Sequence, residues 1–282
     1  MNITIIIPAH NEADFICQTL DSLIEQTITP NQLIVVNDNS SDETGNLVLE
    51  YCSQYNWIEL VDIESSNDHL PGSKIINAFN KGLKLVKQDY EFICKFDADL
   101  IFPKNYLEKL MSHFAGNHKL GMASGFCYIE KKGVWVLENL TRKDHIRGAL
   151  KCYRRACFEE IGGLKPAMGW DTVDELVASY YGWEILTDDS LQVKHLKPTG
   201  QSYNKAAKLL QGEAMYRMRY GLSITAISGL KLALRKQKPR LFMDYLQGYF
   251  KAKRSKQEPL VTKDQGAFIR QKRWNGIFQK LF

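Results

Sequence analysis

The six cysteines, at positions 17, 52, 94, 127, 152 and 157, form no C-x-x-C pair. Most lie in apolar runs. That argues against a disulfide framework or a zinc site and for reduced, buried thiols in a cytosolic protein. The segment after the first apolar run reads Pro8-Ala9-His10-Asn11-Glu12. It is neither a G-x-G-x-x-G turn nor a glycine-rich basic phosphate loop, which speaks against a dinucleotide dehydrogenase and a nucleotidyltransferase. No uninterrupted apolar stretch approaches ~18 residues, so no membrane span is expected. The amino terminus has no basic n-region, and its apolar run is too short for a signal peptide. There is no internal repeat, no low-complexity segment and no recognisable nucleic-acid module.

What is present is ordinary for a globular chain. Of 282 residues, 44% are hydrophobic and 24% charged, enough for one large domain or a domain with an appendage. The charge is divided unevenly. Residues 1–200 carry 19 Lys/Arg against 28 Asp/Glu, whereas residues 201–282 carry 18 against 4. This asymmetry divides the chain into residues 1–200 and a basic carboxyl-terminal extension, 201–282.

The first ~100 residues alternate between strand and helix signals. Ile3–Ile7, Leu33–Val36 and Tyr90–Cys94 are apolar runs that read as buried strands, and Trp57–Ile63 reads as a further strand. Between them, helical spacing predicts helices from Asn11 as cap to about Gln26, from Ser41 or Asp42 to about Gln54, and from Pro71-Gly72-Ser73 to about Lys87. The alternation predicts a doubly wound, mostly parallel α/β sheet with helices on both faces. Later segments predict a helix over 103–114, strands over 120–129, 134–137 and 147–153, a helix over 172–181, and two short strands over 183–186 and 191–195. Helices over 202–220, 222–236 and 239–254 follow.

In such a sheet the polar loops at the strand ends share one edge, and ligands bind there. His10, Asp38, Asp97 and Asp99 therefore converge. Asp97 and Asp99 form a D-x-D after an apolar strand, and two close carboxylates repel unless a cation or proton separates them. Taken alone, the pair is either a metal site or a solvated acidic turn.

The ordered segments Ile5-Ile6-Ile7-Pro8-Ala9-His10-Asn11-Glu12, Val35-Val36-Asn37-Asp38-Asn39-Ser40-Ser41-Asp42-Glu43-Thr44 and Phe96-Asp97-Ala98-Asp99 resemble family 2 glycosyltransferases over about residues 2–200. The resemblance implies a GT-A fold, which binds nucleotide sugars. It implies a donor site of Pro8, His10, Glu12, Asp38, Lys74, Asp97 and Ala98, with Asp38 on the base. It also implies Mn²⁺ or Mg²⁺ on Asp99, with His195 as a further ligand. Oxygen-ligand cations of this kind offset the charge that grows on a departing diphosphate. A general base belongs before a helix that ends in Gly-aromatic. Tyr181-Gly182-Trp183 supplies that ending and Asp171 the base, although Trp170 stands where the family has Glu. Asp174 and Glu175 offer a second acidic pair one turn on. Trp170 is a candidate acceptor-side wall.

The resemblance implies an inverting transfer from a nucleotide-diphosphate sugar, with a UDP-sugar favoured, to a saccharide or lipid-linked acceptor. The alternative is a catalytically inactive nucleotide-sugar-binding module, which the missing Glu supports. The tail mixes Phe268, Ile269, Trp274, Ile277, Phe278, Leu281 and Phe282 with Arg270, Lys272, Arg273 and Lys280. That mixture suits an anionic membrane surface. The expected location is cytoplasmic, possible docking being peripheral at the inner membrane face. No nucleic-acid partner is expected.

Overall fold

The computed structural model describes residues 1–65, 72–87, 89–138, 144–197 and 209–279. The chain forms two compact units, Met1–Pro166 with Tyr181–Thr199, and Ala167–Tyr180 with Gly200–Phe282.

The first unit is built on a sheet. Its strands are β1 (Ile3–Ala9), β2 (Gln32–Asp38), β3 (Ile58–Ile63), β4 (Phe92–Phe96), β5 (Leu100–Ile101), β6 (Leu120–Lys131), β7 (Val134–Leu137), β8 (Leu150–Arg154) and β9 (Glu184–His195). They run in the order β3-β2-β1-β4-β8-β6-β9-β5, with β7 paired to β6. β3, β2, β1 and β4 are mutually parallel. From β8 onward the directions mix: β8 is antiparallel to both β4 and β6, and β9 is parallel to β6. Every residue of β1, β2 and β4 is buried, as a central parallel strand requires. Helices α1 (Ile16–Ile24), α2 (Thr44–Gln54), α3 (Ser73–Leu83), α4 (Tyr106–Gly116) and α5 (Arg155–Glu160) complete the unit.

Several boundaries differ from the sequence expectation. α1 starts at Ile16, because Asn11 takes a left-handed φ of 53° and ties two loops together instead of capping a helix. Its Oδ1 accepts from Ser41 N at 2.8 Å, and its own N–H donates to Ser40 Oγ at 2.9 Å. The two short strands expected near the end of the unit are one long strand, β9. Its polar middle, Thr187-Asp188-Asp189-Ser190, lies opposite a register shift between Ser124 and Phe126. Gly125 sits in that shift, and a Cβ there would overlap the Leu191 carbonyl oxygen.

The second unit is helical: α6 (Trp170–Tyr180), α7 (Leu210–Arg217), α8 (Gly221–Lys236), α9 (Arg240–Arg254) and α10 (Lys263–Phe278). The expected helix over 202–220 falls partly on residues 201–208, which lie outside the described residues. α10 opens with a capping box, in which Thr262 Oγ1 accepts from Gln265 N and Gln265 Oε1 accepts from Thr262 N. α7 and α9 approach until backbone meets backbone. A Cβ on Gly212 would overlap the Tyr245 carbonyl oxygen, and one on Gly248 the Leu209 carbonyl oxygen. Neither obstacle is a side chain that could swing away. Gly248→Ala is therefore expected to cost about 3 kcal/mol, a large effect for one methyl group. Urea unfolding of the variant beside the wild type measures it.

Candidate active site

The D-x-D turn follows β4, and the backbone from the turn to the start of α4 is held mainly by buried side chains in α1 and just after it. Thr19 Oγ1 donates to the Ala98 carbonyl at 2.8 Å and accepts from Leu100 N at 2.9 Å. Ser22 Oγ accepts from Phe102 N at 3.1 Å, and Gln26 Oε1 accepts from Leu107 N at 3.0 Å. From the other side, Asp97 N donates to the Ala149 carbonyl and Leu196 N to the Asp99 carbonyl. Such polar bonds inside an apolar layer fix the turn, because each would leave an unsatisfied group if broken.

The two aspartates have separate partners. Asp97 is ion-paired with Lys95, which is 1% exposed. Burial works to raise the pKa of Asp97, but the Lys95 ammonium, with His195 and Arg147 behind it, holds it below the usual range. Asp99 Oδ2 lies 3.3 Å from His195 Nε2, while His195 Nδ1 lies 2.8 Å from Glu138 Oε2. Glu138 in turn is ion-paired with Arg147. Burial alone would depress the pKa of His195. The hydrogen bonds and charges of Asp99 and Glu138 override it and raise the ring to about 9. The imidazole is then protonated at neutral pH and acts as a cation on Asp99.

Glu12 completes this edge. Lys197 Nζ meets its Oε1 at 2.8 Å. Its Oε2 is buried and has no hydrogen-bond partner among the described residues. Burial, reinforced by Asp99 and Asp97, raises the Glu12 pKa against the pull of Lys197. An orphaned carboxylate oxygen near two further aspartates is a donor set suited to a hard divalent cation. The buried trio Cys127, Glu138 and His195 has ligand atoms within 4.8 Å of one another. It is a poor soft-metal site, because burial pushes the Cys127 thiol up to about 12 and keeps it protonated.

Asp38 ends β2 and is buried, with its carboxylate accepting from Ser65 N at 3.2 Å and Ser65 Oγ at 2.9 Å. His10 Nδ1 lies 2.6 Å from the Asp38 carbonyl, so that nitrogen carries the proton. Pro8 is buried within β1. Ala98 is buried in the turn. Lys74 is half-buried in the first turn of α3, after Gly72 in the left-handed region.

Trp170 and Asp171 belong to the second unit. Gly169, with a left-handed φ of 79°, turns the chain into α6. The helix begins two residues earlier than expected, so Trp170 and Asp171 form its first turn instead of a loop. Trp170 is buried, as are Asp174 and Glu175 further along.

The structure thus brings Glu12, Asp97, Asp99 and His195 together in one unit. Lys95, Glu138, Arg147 and Lys197 join them without having been singled out in the sequence. A lysine two residues before an acidic turn, inside an apolar strand, was the readable signal for Lys95. The Glu138–Arg147–His195 chain has no local signal. Lys95→Met is expected to destabilise the fold by about 3 kcal/mol, because it strands the Asp97 charge. A Lys95→Met/Asp97→Asn double variant should recover part of that loss in urea unfolding.

A parallel β3-β2-β1-β4 half continued by mixed strands, with an acidic turn after β4, defines a GT-A-type α/β domain. Residues 4–158 match Glycosyl transferase family 2, and the chain belongs to that family. An uncharacterized glycosyltransferase of Mycoplasma pneumoniae, the MG025 homolog, is 31% identical over 176 residues, 57% of this chain and 56% of that protein. The chain thus spans about half the length of that curated relative. The mannosyltransferase PcManGT from Pyrobaculum calidifontis, solved with GDP-Man and Mn²⁺, superposes with a TM-score of 0.58 at 17% identity, covering 100% of this chain and 81% of that one. Residues 1–349 of S. aureus TarS, solved with UDP-GlcNAc, superpose with a TM-score of 0.57 at 18% identity, covering 89% and 73%. At these identities the two structures speak for the fold alone.

Proposed function

We propose that the protein transfers a sugar, with inversion, from a nucleoside diphosphate sugar to a hydroxyl of a saccharide or lipid-linked acceptor. The observation that carries this reading is the convergence of Glu12, Asp97, Asp99 and His195 at one sheet edge, beside the D-x-D of a family 2 chain. The catalytic domain is residues 1–200 and the basic helical extension residues 201–282.

Asp38 accepts a base N–H, since a carboxylate has acceptor capacity beyond its two bonds from Ser65. Pro8, His10, Lys74 and Ala98 line the donor with it. Asp99 would hold Mn²⁺ or Mg²⁺, with Asp97 turned to the donor and His195 as a second ligand once its proton is released. The ion, when bound, offsets the negative charge that develops on the departing diphosphate. Lys197 adds a cation at the same edge. Asp171 takes the acceptor hydroxyl proton. The acceptor oxygen then bonds to the anomeric carbon as the carbon–oxygen bond to the diphosphate breaks on the opposite side. Trp170 stands on the acceptor side. A UDP-sugar is the favoured donor; the TarS and PcManGT structures contain UDP-GlcNAc and GDP-Man respectively.

Thermal melting with UDP-, GDP- and dTDP-sugars, each with and without Mn²⁺, tests the donor site. One donor class is expected to raise Tm in a Mn²⁺-dependent way, and Asp38→Asn should weaken that response. No shift with any donor overturns the reading.

A further inference from the structure

The helical hairpin α8–α9 carries an apolar surface that its own unit leaves uncovered. Along α8, Leu222, Ile227, Leu230 and Leu234 are 43%, 38%, 49% and 69% exposed. The spacing of Ile227, Leu230 and Leu234 places these three on one stripe, opposite the buried Thr225 and Gly229, while Leu222 projects from the first turn on the side of the buried positions. Gly229 lets α9 close in, with Tyr245 and Phe242 against it. On α9 the buried stripe is Asp244, Gly248 and Ala252. The outward stripe holds Met243 and Phe250, seven residues apart and 51% and 45% exposed.

The charge around these stripes is of one sign. Between residues 221 and 256 there are nine basic residues: Lys231, Arg235, Lys236, Lys238, Arg240, Lys251, Lys253, Arg254 and Lys256. All nine are exposed. The one acidic residue in this span, Asp244, is buried and lies 4.0 Å from Arg240. Of the basic residues, Lys251 reaches Glu213 on α7. α10, by contrast, spends much of its apolar content on packing: Ile269 is fully buried and Phe268 meets Tyr180 of α6 edge-to-face.

We propose that the α8–α9 hairpin is a docking face for an anionic phospholipid surface. Aliphatic side chains enter the headgroup–acyl boundary while the surrounding lysines and arginines meet lipid phosphates. Large exposed leucines distinguish this face from a nucleic-acid groove, where cations lie over polar surface. A second copy of the chain fits less well, because it would set nine cations against nine. No helix among the described residues is long and apolar enough to cross a membrane, so contact is by surface insertion. The inference is independent of the donor reading.

Vesicle co-sedimentation of the full chain tests it. One set of vesicles is phosphatidylcholine alone and the other phosphatidylcholine with phosphatidylglycerol in equal parts. The wild type is expected to partition onto anionic vesicles about tenfold or more better than onto neutral ones. Leu230→Glu/Leu234→Glu and Arg235→Glu/Lys236→Glu/Lys238→Glu should each lower that binding about tenfold. Both sets lie on the exposed surface, so unchanged circular dichroism and Tm serve as the folding control. Phe278→Glu, on α10, should leave binding unchanged. Equal binding to both vesicle types, or full binding by the leucine variant, overturns the proposal. So does a solution dimer that the leucine variant dissociates without any vesicle binding, or capture by single-stranded RNA in place of vesicles.

Discussion

Asp99→Asn is expected to lower turnover about a thousandfold while leaving the protein folded. Asparagine keeps the shape of the side chain. The turn is held through backbone bonds from Leu196 and Thr19, neither of which uses the Asp99 carboxylate. What is lost is one negative charge in a 6% exposed position and its ion pair with His195, whose ring keeps Glu138 as a partner. In the proposed mechanism a cation between protein and diphosphate would depend on that charge. The measurement is the initial rate of nucleoside diphosphate release at saturating donor and Mn²⁺, with Tm as the control. A variant that keeps more than about a third of the wild-type rate, with Tm unchanged, would remove Asp99 from the mechanism. EDTA should reproduce the loss in the wild type, and added Mn²⁺ should reverse it.

Asp171→Asn should separate kcat from donor binding. General-base catalysis typically contributes about 10²–10⁴ to the rate. A fall of that size in kcat is expected, with the donor-dependent rise in Tm unaltered. Asp174 is the control, because it lies one turn along α6, is buried, and accepts from Glu175 N at 2.7 Å. If Asp174→Asn stops turnover and Asp171→Asn does not, the base moves to Asp174. A wild type that binds donor and never turns over, whatever the acceptor, is instead an inactive binding module. The Trp170 that stands in place of a glutamate would then be its cause.

The parallel half of the sheet was legible because β1, β2 and β4 are buried on both faces, and so read as unbroken apolar runs ended by polar loops. The mixed half was harder. β9 looked like two strands because polar Thr187–Ser190 interrupts it, and pairing with β6 continues across that interruption by a register shift at Gly125. The start of α1 was misplaced because Asn11 resembles a cap. Its left-handed backbone and its bond to Ser41 are tertiary facts. The same holds at the site. Asp38, Asp97, Asp99 and His195 stand at strand ends, where topology alone predicts convergence. The Glu138–Arg147–His195 chain joins residues up to 57 positions apart, and only the folded sheet reveals it. α10 was not among the expected helices, although its capping box at Thr262 and Gln265 is a local sequence signal for a helix start.

The pairing of four acidic groups around the D-x-D with resident cations bears on the proposed catalytic cycle. Lys95 faces Asp97, His195 faces Asp99, Arg147 faces Glu138 and Lys197 faces Glu12. A cluster already balanced in this way needs no divalent ion to keep from flying apart. On the proposed metal-dependent reading, the ion would then be a passenger that arrives with the donor's phosphates and leaves with the product. Enzyme stripped by chelation should show an undiminished Tm and idle intact until substrate brings the next ion.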